Sequence, residues 1–165
     1  MTKLIAIDPG MTSGVFVGEY DDMSPLLRTG YAQIPGGIKG FSRWMDDAYP
    51  DIFGATVVCE KFVPLPMARS WKLDELEPIR IEGLLYDYWT DRIVWQRSMA
   101  MVLRDGATQA ERKKNSDDLL RRNGWWLTGK DVGLKDANDA NAAAKHALAY
   151  MRSIGHMPTI ETHLR

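Results

Sequence analysis

The chain has 165 residues, of which 45% are hydrophobic and 26% are charged, and its formal net charge is −1. This length and composition predict one folded domain over residues 1–165 and exclude a disordered chain. No apolar run approaches the roughly 18–20 residues that a membrane span needs, and the first residues lead into a strand pattern rather than a signal peptide. The single cysteine, Cys59, excludes disulfide frameworks and thiolate zinc clusters, so we expect a cytoplasmic protein.

The first part of the chain predicts four strands and a helix. Residues 3–8 form a buried strand that a Pro-Gly pair ends, and residues 14–18 and 28–34 continue it as an antiparallel meander. Apolar residues at helical spacing predict a helix over residues 38–49. The β-branched run at residues 56–60 predicts a central strand.

The rest of the chain predicts three helices and a fifth strand. A helix over residues 76–89 tolerates Pro78 only in its first turn, and residues 92–96 form a strand. Residues 108–123 form a charged helix and residues 136–152 an alanine-rich one. This order predicts an α/β fold with a mixed five-stranded sheet, in which parallel strands are added to three antiparallel ones and helices flank the sheet.

Four acidic residues lie where these elements begin or end. Asp8 and Glu60 each end a strand, and Asp136 and Asp139 are three residues apart in the first turn of the last helix, so they share a face. Turn formation, a solvated strand end and the helix dipole are the ordinary alternatives. Clustered carboxylates are also the ligands that magnesium needs for two-metal hydrolysis of a phosphodiester.

The last helix has a predicted buried side and a predicted solvated side. On a helical wheel its alanine stripe points the same way as the two acids. The opposite, solvated side carries Asn138, Asn141 and Lys145, and His146 is predicted at the surface or at the boundary.

Three short motifs carry a family resemblance. Residues 5–14 (IAIDPGMTSG) closely resemble the opening of RuvC-like Holliday junction resolvases, residues 58–60 (VCE) their second acidic strand, and residues 136–140 (DANDA) their closing helix motif. The match runs through the chain in order and in approximate spacing. The size and the layout are similar to those of phage-encoded members, which implies the cytoplasm of a bacterial host.

The resemblance implies a ribonuclease H-like fold, a homodimer, and nicking of branched DNA such as four-way junctions. Two Mg²⁺ or Mn²⁺ ions would be held by the catalytic residues Asp8, Glu60, Asp136 and Asp139. The family also has an aromatic wedge shortly after the second acid. Phe62 lies one position from the expected place, so an ordinary core or rim aromatic is an equal alternative.

Binding to DNA by a chain of this net charge requires positive charge concentrated on one face. The densest basic stretch precedes the last helix, although such runs are commonly just solvated helix faces. The candidate DNA-binding residues are Arg112, Lys113 and Lys114, then Arg97 and Arg104, and around the loop after Glu60 the residues Lys61, Arg69 and Lys72. Of the adjacent Trp125 and Trp126, we expect at least one in the core.

Three other functions were weighed against this interpretation. Actin-like ATPases share the fold and a similar phosphate loop, but they need two such domains and a second glycine-rich loop. A non-catalytic nucleic-acid-binding domain is disfavoured because all four acids are in place. A ribonuclease H-like nuclease of broader specificity, acting on flaps, ends or RNA–DNA hybrids, stays open because a fold does not fix its substrate.

Overall fold

The structure is a computed structural model that describes residues 1–63 and 73–165. Its sheet has five strands in the order β3-β2-β1-β4-β5. The strands are β1 (Thr2–Asp8), β2 (Thr12–Asp21), β3 (Ser24–Pro35), β4 (Thr56–Glu60) and β5 (Ile93–Gln96). The first three pair antiparallel, and β4 and β5 are added parallel to β1. The predicted mixed sheet is therefore confirmed.

Six α-helical segments accompany the sheet in the described ranges. They are α1 (Gly37–Ile52), α2 (Leu73–Trp89), α3 (Gln109–Arg122), α4 (Gly129–Val132), α5 (Asn138–Ser153) and α6 (Met157–Thr159), the last continued by a π-helical turn, Ile160–Leu164. Short 3-10 turns cover Thr90–Arg92 and Ser98–Met101. No described helix is both long and apolar enough to cross a membrane.

Two helices begin more than one residue away from their predicted starts. Helix α2 begins three residues earlier than predicted, so Pro78 lies beyond its first turn, and the prediction for Pro78 was wrong. Helix α5 begins at Asn138 with Ala137 as its N-cap residue, so Asp136 precedes the helix instead of sharing its first turn with Asp139. In contrast, α3 begins as predicted, because the Thr108 side chain caps it.

Each face of the sheet is covered by different helices. Side chains alternate along β1, so Ile5 and Ile7 pack on one face with apolar residues of α1 and α2. Leu4 and Ala6 pack on the other face with apolar residues of α3 and α5. Trp125 is buried in this second cluster, which confirms that at least one of the paired tryptophans belongs to the core.

Helix α5 is buried on nearly all sides, so the prediction of a solvated side holds for Asn138 but was wrong for the rest. Asn141 is 2% exposed and exchanges two hydrogen bonds of 2.9 Å with the backbone of Leu127. Lys145, 5% exposed, forms an ion pair with Asp117 of α3. The sheet lies on one side of α5, and α3 and the chain after it lie on the other.

Candidate active site

The strands β1 and β4 end side by side, each on a carboxylate. In their parallel pairing Ile7 lies opposite Cys59, and the next residue of each strand is Asp8 or Glu60. Alternation turns both acids toward α5, away from the buried Cys59. The two carboxyl groups lie close enough to change each other's pKa. The predicted meeting of two strand-end acids is therefore found in the structure.

Asp8 lies among other acids. Burial raises the pKa of its carboxyl group well above the ordinary value, and the charges of Glu60 and Asp139 raise that pKa further, whereas the ammonium group of Lys145 lowers it. Like charges this close disfavour ionisation. A cation bound between the carboxylates would remove the repulsion, so the arrangement favours a cation.

Glu60 has a partner that the sequence did not reveal. The His146 Nε2 atom lies 2.9 Å from the Glu60 Oε2 atom, and the His146 Nδ1 atom lies 2.7 Å from the Gln96 Oε1 atom. Burial raises the pKa of Glu60, but the hydrogen bond and charge of His146, helped by Ser98 and Asp8, lower it overall. The predicted surface or boundary position of His146 was wrong, because its ring is fully buried. Its spacing of seven residues from Asp139 is the signal that would have found it.

The start of α5 rests on the neighbouring strands β2 and β3. Gly14 of β2 lies directly beneath it, and a Cβ atom there would overlap the backbone carbonyl of Asp139. Gln33, which pairs with Gly14 across the sheet, donates to the Asp136 carbonyl oxygen at 2.6 Å and accepts from the Ala140 N–H at 3.2 Å. The Gln33 amide thereby satisfies backbone groups at the start of α5, as the side chain of an N-cap residue does in other helices. Gly14 and Gln33 therefore fix where Asp139 lies.

Asp136 lies at the outer edge of the site. Its side chain is exposed and accepts a hydrogen bond of 3.2 Å from the Asn138 N–H. Burial raises the pKa of Asp139, and the charge of Asp136 raises it further. Thus the structure brings Glu60, Asp8 and Asp139 together and places Asp136 next to Asp139. A groove of about 400 Å³ beside these two aspartates is also lined by Lys135, which the sequence analysis did not single out.

The acids meet part of what a metal ion requires. In residues 1–63 and 73–165, no group of three or more His, Cys, Asp or Glu side chains is arranged to hold a metal ion. The Asp8–Glu60 pair nevertheless fits magnesium, because proteins commonly bind Mg²⁺ through one or two carboxylates and leave its other positions to water and substrate phosphates. The hard oxygen donors and their mutual repulsion suit such an ion.

Two candidate DNA-binding residues after β4 have contacts with α2. Lys61 forms a 2.7 Å ion pair with Glu82, and its ammonium group lies 4.6 Å from the centre of the Trp95 ring. The Phe62 N–H donates to the other Glu82 oxygen at 2.6 Å, and the Phe62 side chain is half-buried. Arg69 and Lys72 lie outside the described residues. The role of Phe62 as a wedge stays a prediction.

The other basic candidates divide into anchored and exposed side chains. Arg112 donates to the Gly106 carbonyl oxygen at 2.8 Å, and Arg104 donates to that of Arg165, so both hold loops in place. The remaining candidates are exposed, and they are Arg97, Lys113 and Lys114. Within the described ranges these three side chains have no ion pair or hydrogen bond that binding to a phosphate backbone would break.

Comparison with known proteins identifies the fold. No known family profile matches the sequence, and no curated protein is significantly similar to it. Solved structures of Holliday junction resolvases do match. The fowlpox virus Holliday junction resolvase has a TM-score of 0.60 at 13% identity, over 92% of this chain and 99% of its own. The chain therefore has the fold of this class of resolvases, as the sequence motifs predicted.

Two further structures place the fold within that class. Thermus thermophilus RuvC has a TM-score of 0.54 at 12% identity, over 92% of this chain and 96% of its own. The fowlpox virus resolvase in complex with Holliday junction DNA has a TM-score of 0.55 at 14% identity, over 93% of this chain and 99% of its own. At such identities the likeness defines the fold, and the predicted RuvC-like, ribonuclease H-like architecture is confirmed.

Proposed function

We propose that this chain is a divalent-metal-dependent endonuclease that cuts branched DNA, with the four-way Holliday junction as its main substrate. The observation that carries the proposal is that Asp8 and Glu60 lie side by side at the ends of two adjacent strands, close enough for Glu60 to raise the pKa of Asp8. It is supported by the fold, which the chain shares with resolvases, among them structures in complex with Holliday junction DNA.

In this proposal the role of each carboxylate follows from its position in the site. Asp8 and Glu60 would hold the ion, while Asp139 on α5 and Asp136 at the exposed edge would add negative charge beside it. Divalent ions held there would supply an activated water and would neutralise the leaving oxygen of the phosphodiester. The products are a 5′-phosphate and a 3′-hydroxyl. Because the strand ends and the seat of α5 hold the acids before substrate arrives, little reorganisation is needed.

The substrate and the assembly are part of the same proposal. Lys113 and Lys114 on α3 and Arg97 after β5 are the residues that we expect to contact the phosphate backbone. A four-way junction has two strands to cut, so we propose a homodimer with one site in each subunit. Light scattering of the chain with and without junction DNA measures this stoichiometry.

The function is tested with a panel of labelled substrates in Mg²⁺ and in Mn²⁺. The panel contains a four-way junction, a flap, a fork, linear duplex and an RNA–DNA hybrid, each with and without EDTA. We expect metal-dependent nicks near the junction centre and little cutting of linear duplex. Preferential cleavage of the RNA–DNA hybrid or of flaps would replace the junction with a broader nuclease activity. No metal-dependent cleavage of any substrate would refute the proposal.

The DNA surface is tested by removing charge from α3. Replacing Lys113 and Lys114 together by alanine leaves the Arg112 anchor to Gly106 intact. We expect weaker junction binding and a salt dependence whose slope falls by about 2, roughly one for each lost phosphate contact. The measurement is the dissociation constant over a series of salt concentrations.

A matched control uses two exposed basic residues on the other face of the sheet. Lys39 and Arg43 lie on α1, away from α5, and their double alanine variant removes the same charge. An equal loss of slope in both double variants would mean that α3 has no special role in binding.

A further inference from the structure

We propose that His146 is a positioning residue for Glu60, held in turn by Gln96, so that the three side chains form one support for the ion site. The inference rests on the proposed function, because it gives Glu60 a ligand's task. It goes further because it assigns a role to a buried histidine that is not one of the four predicted acids.

The geometry of the support begins with the sheet. Glu60 and Gln96 are paired residues on the adjacent parallel strands β4 and β5, so their side chains leave the sheet as neighbours on the same face. His146 reaches both of them from α5, at 2.9 Å to the carboxylate and 2.7 Å to the amide. One imidazole therefore spans two strand ends.

Among the residues that the structure describes, the imidazole ring has no polar contact other than those with Glu60 and Gln96. Both of its nitrogens are directed at side chains of this face, and its exposed fraction is 0%. The other buried polar residues of α5 differ in this respect. Asn141 bonds the backbone of Leu127, and Lys145 pairs with Asp117, so each of them joins α5 to a neighbouring segment.

Holding one oxygen of Glu60 has a direct consequence for the other. A glutamate side chain has several rotatable bonds, and an ion that binds a mobile carboxylate must first order it. The Nε2–H group of His146 restrains the Oε2 atom and thereby sets the orientation of the whole carboxylate. The Glu60 side chain is still 19% exposed, so its remaining surface is open to an ion. Supporting contacts of this kind typically change metal affinity or activity by about 10–100-fold.

The test uses three substitutions at one position and a control on the same helix. His146→Gln keeps a donor near the place of Nε2, His146→Asn keeps one only near Nδ1, and His146→Phe keeps the ring shape without a donor. Leu148→Ala is the control, because Leu148 is a fully buried apolar residue of α5 that packs in the core. Two quantities are measured: Mn²⁺ affinity without DNA, from the metal-induced shift of Tm, and kcat and KM for junction cleavage.

We expect Mn²⁺ affinity to fall by about 10–100-fold in His146→Phe and in His146→Asn. His146→Gln should retain most of the parental affinity, since its amide replaces the lost donor. The kcat should follow the metal affinity, while KM for the junction stays near the parental value. Leu148→Ala should lower Tm and leave Mn²⁺ affinity unchanged.

Two results would overturn the inference. One is equal Mn²⁺ affinity in His146→Gln and His146→Asn, which remains decisive if the phenylalanine variant does not fold. The other is a loss of affinity in Leu148→Ala that matches the loss at His146, because it would reduce His146 to a packing residue. If the unmodified chain binds no Mn²⁺ and cuts no junction, the proposed function fails first, and that outcome is recognisable without any variant.

Discussion

Buried or half-buried carboxylates occur on both sides of the sheet, and their surroundings differ. On the side of α2, Glu77 and Glu82 are each 6% exposed. Each of them accepts one hydrogen bond from a backbone N–H group and one from a cationic side chain. The donors are Ile38 and Arg80 for Glu77, and Phe62 and Lys61 for Glu82. Buried charges that are paired and hydrogen-bonded in this way are part of the fold.

On the side of α5, Asp8 faces the carboxyl group of Glu60, which in turn accepts a hydrogen bond from His146. The charge of another carboxylate, Asp139, raises the pKa of Asp8 further, and the ammonium group of Lys145 lowers it. The contrast separates acids that the fold uses from acids that the fold leaves for a ligand. A half-buried acid among acids indicates a site for a cation, whereas a buried acid among donors indicates a structural anchor.

The largest expected effect is on catalysis. Asp8→Asn removes a proposed ion ligand and should lower metal-dependent junction cleavage by more than about 100-fold, since the bound ions supply several kcal/mol of the rate enhancement. Glu77→Gln, a matched loss of a buried carboxylate whose partners are Ile38 and Arg80, should cut at close to the parental rate. Single-turnover cleavage of a four-way junction measures both variants. Comparable losses of cleavage rate in the two variants would show that the carboxylates on the two sides of the sheet do not differ in function.

The next effect concerns the approach of Asp139 to Asp8. Gly14→Ala places a methyl group against the Asp139 carbonyl, which forces α5 away from β2 and should cost about 1–3 kcal/mol of unfolding free energy. Cleavage should fall as well, because the α5 acid moves away from the strand-end pair.

Gly30→Ala on β3 is the control for this change. Its new Cβ atom would meet the Cβ atom of Val17 at 3.6 Å, an ordinary contact, and we expect parental cleavage. Urea unfolding and cleavage rates are measured for both variants. Parental activity in Gly14→Ala would remove Asp139 from the site.

The smallest expected effect is on stability in EDTA. The pKa of Asp8 is raised in the folded chain, so its contribution to stability is complete below the unfolded value of about 4 and is lost as the pH rises through the folded value. Asp8→Asn removes this pH-dependent loss of stability, so the variant should be more stable than the parent at neutral pH. The difference in unfolding free energy should grow from acid to neutral pH. Glu82→Gln should instead be less stable by about 1 kcal/mol at neutral pH.

Urea unfolding over a pH series without metal measures this effect. The signs for Asp8 and Glu82 are expected to be opposite. An Asp8→Asn variant that is less stable than the parent at pH 7 would show that the repulsion around Asp8 is already relieved by other groups.

The strands and the two strand-end acids were predictable because their signals are local. A β-branched or apolar run that stops at Pro-Gly defines β1, and Thr56–Glu60 was predicted with the bounds that the structure has. Alternation within each strand then places Asp8 and Glu60 on one face. These inferences need only neighbouring residues and the geometry of a sheet.

The surroundings of α5 were not predictable in the same way. A helical wheel assumes that one side faces water, and α5 is covered on both sides, so Asn141, Lys145 and His146 were assigned to the wrong environment. Their partners come from β4, β5, α3 and the segment before α4. Nothing local encodes such contacts, although the many alanines of α5 indicate close packing all around.

The burial of Cys59 has a practical consequence. Its thiol is 0% exposed and burial raises its pKa, so the reactive thiolate is scarce and inaccessible. The tight turn between β2 and β3 carries Met23, whose side chain is 87% exposed. A cysteine introduced there would be the single thiol open to maleimide chemistry. One fluorophore per chain, attached far along the strands from the acids, would then report on protein–DNA distances without removal of the native cysteine.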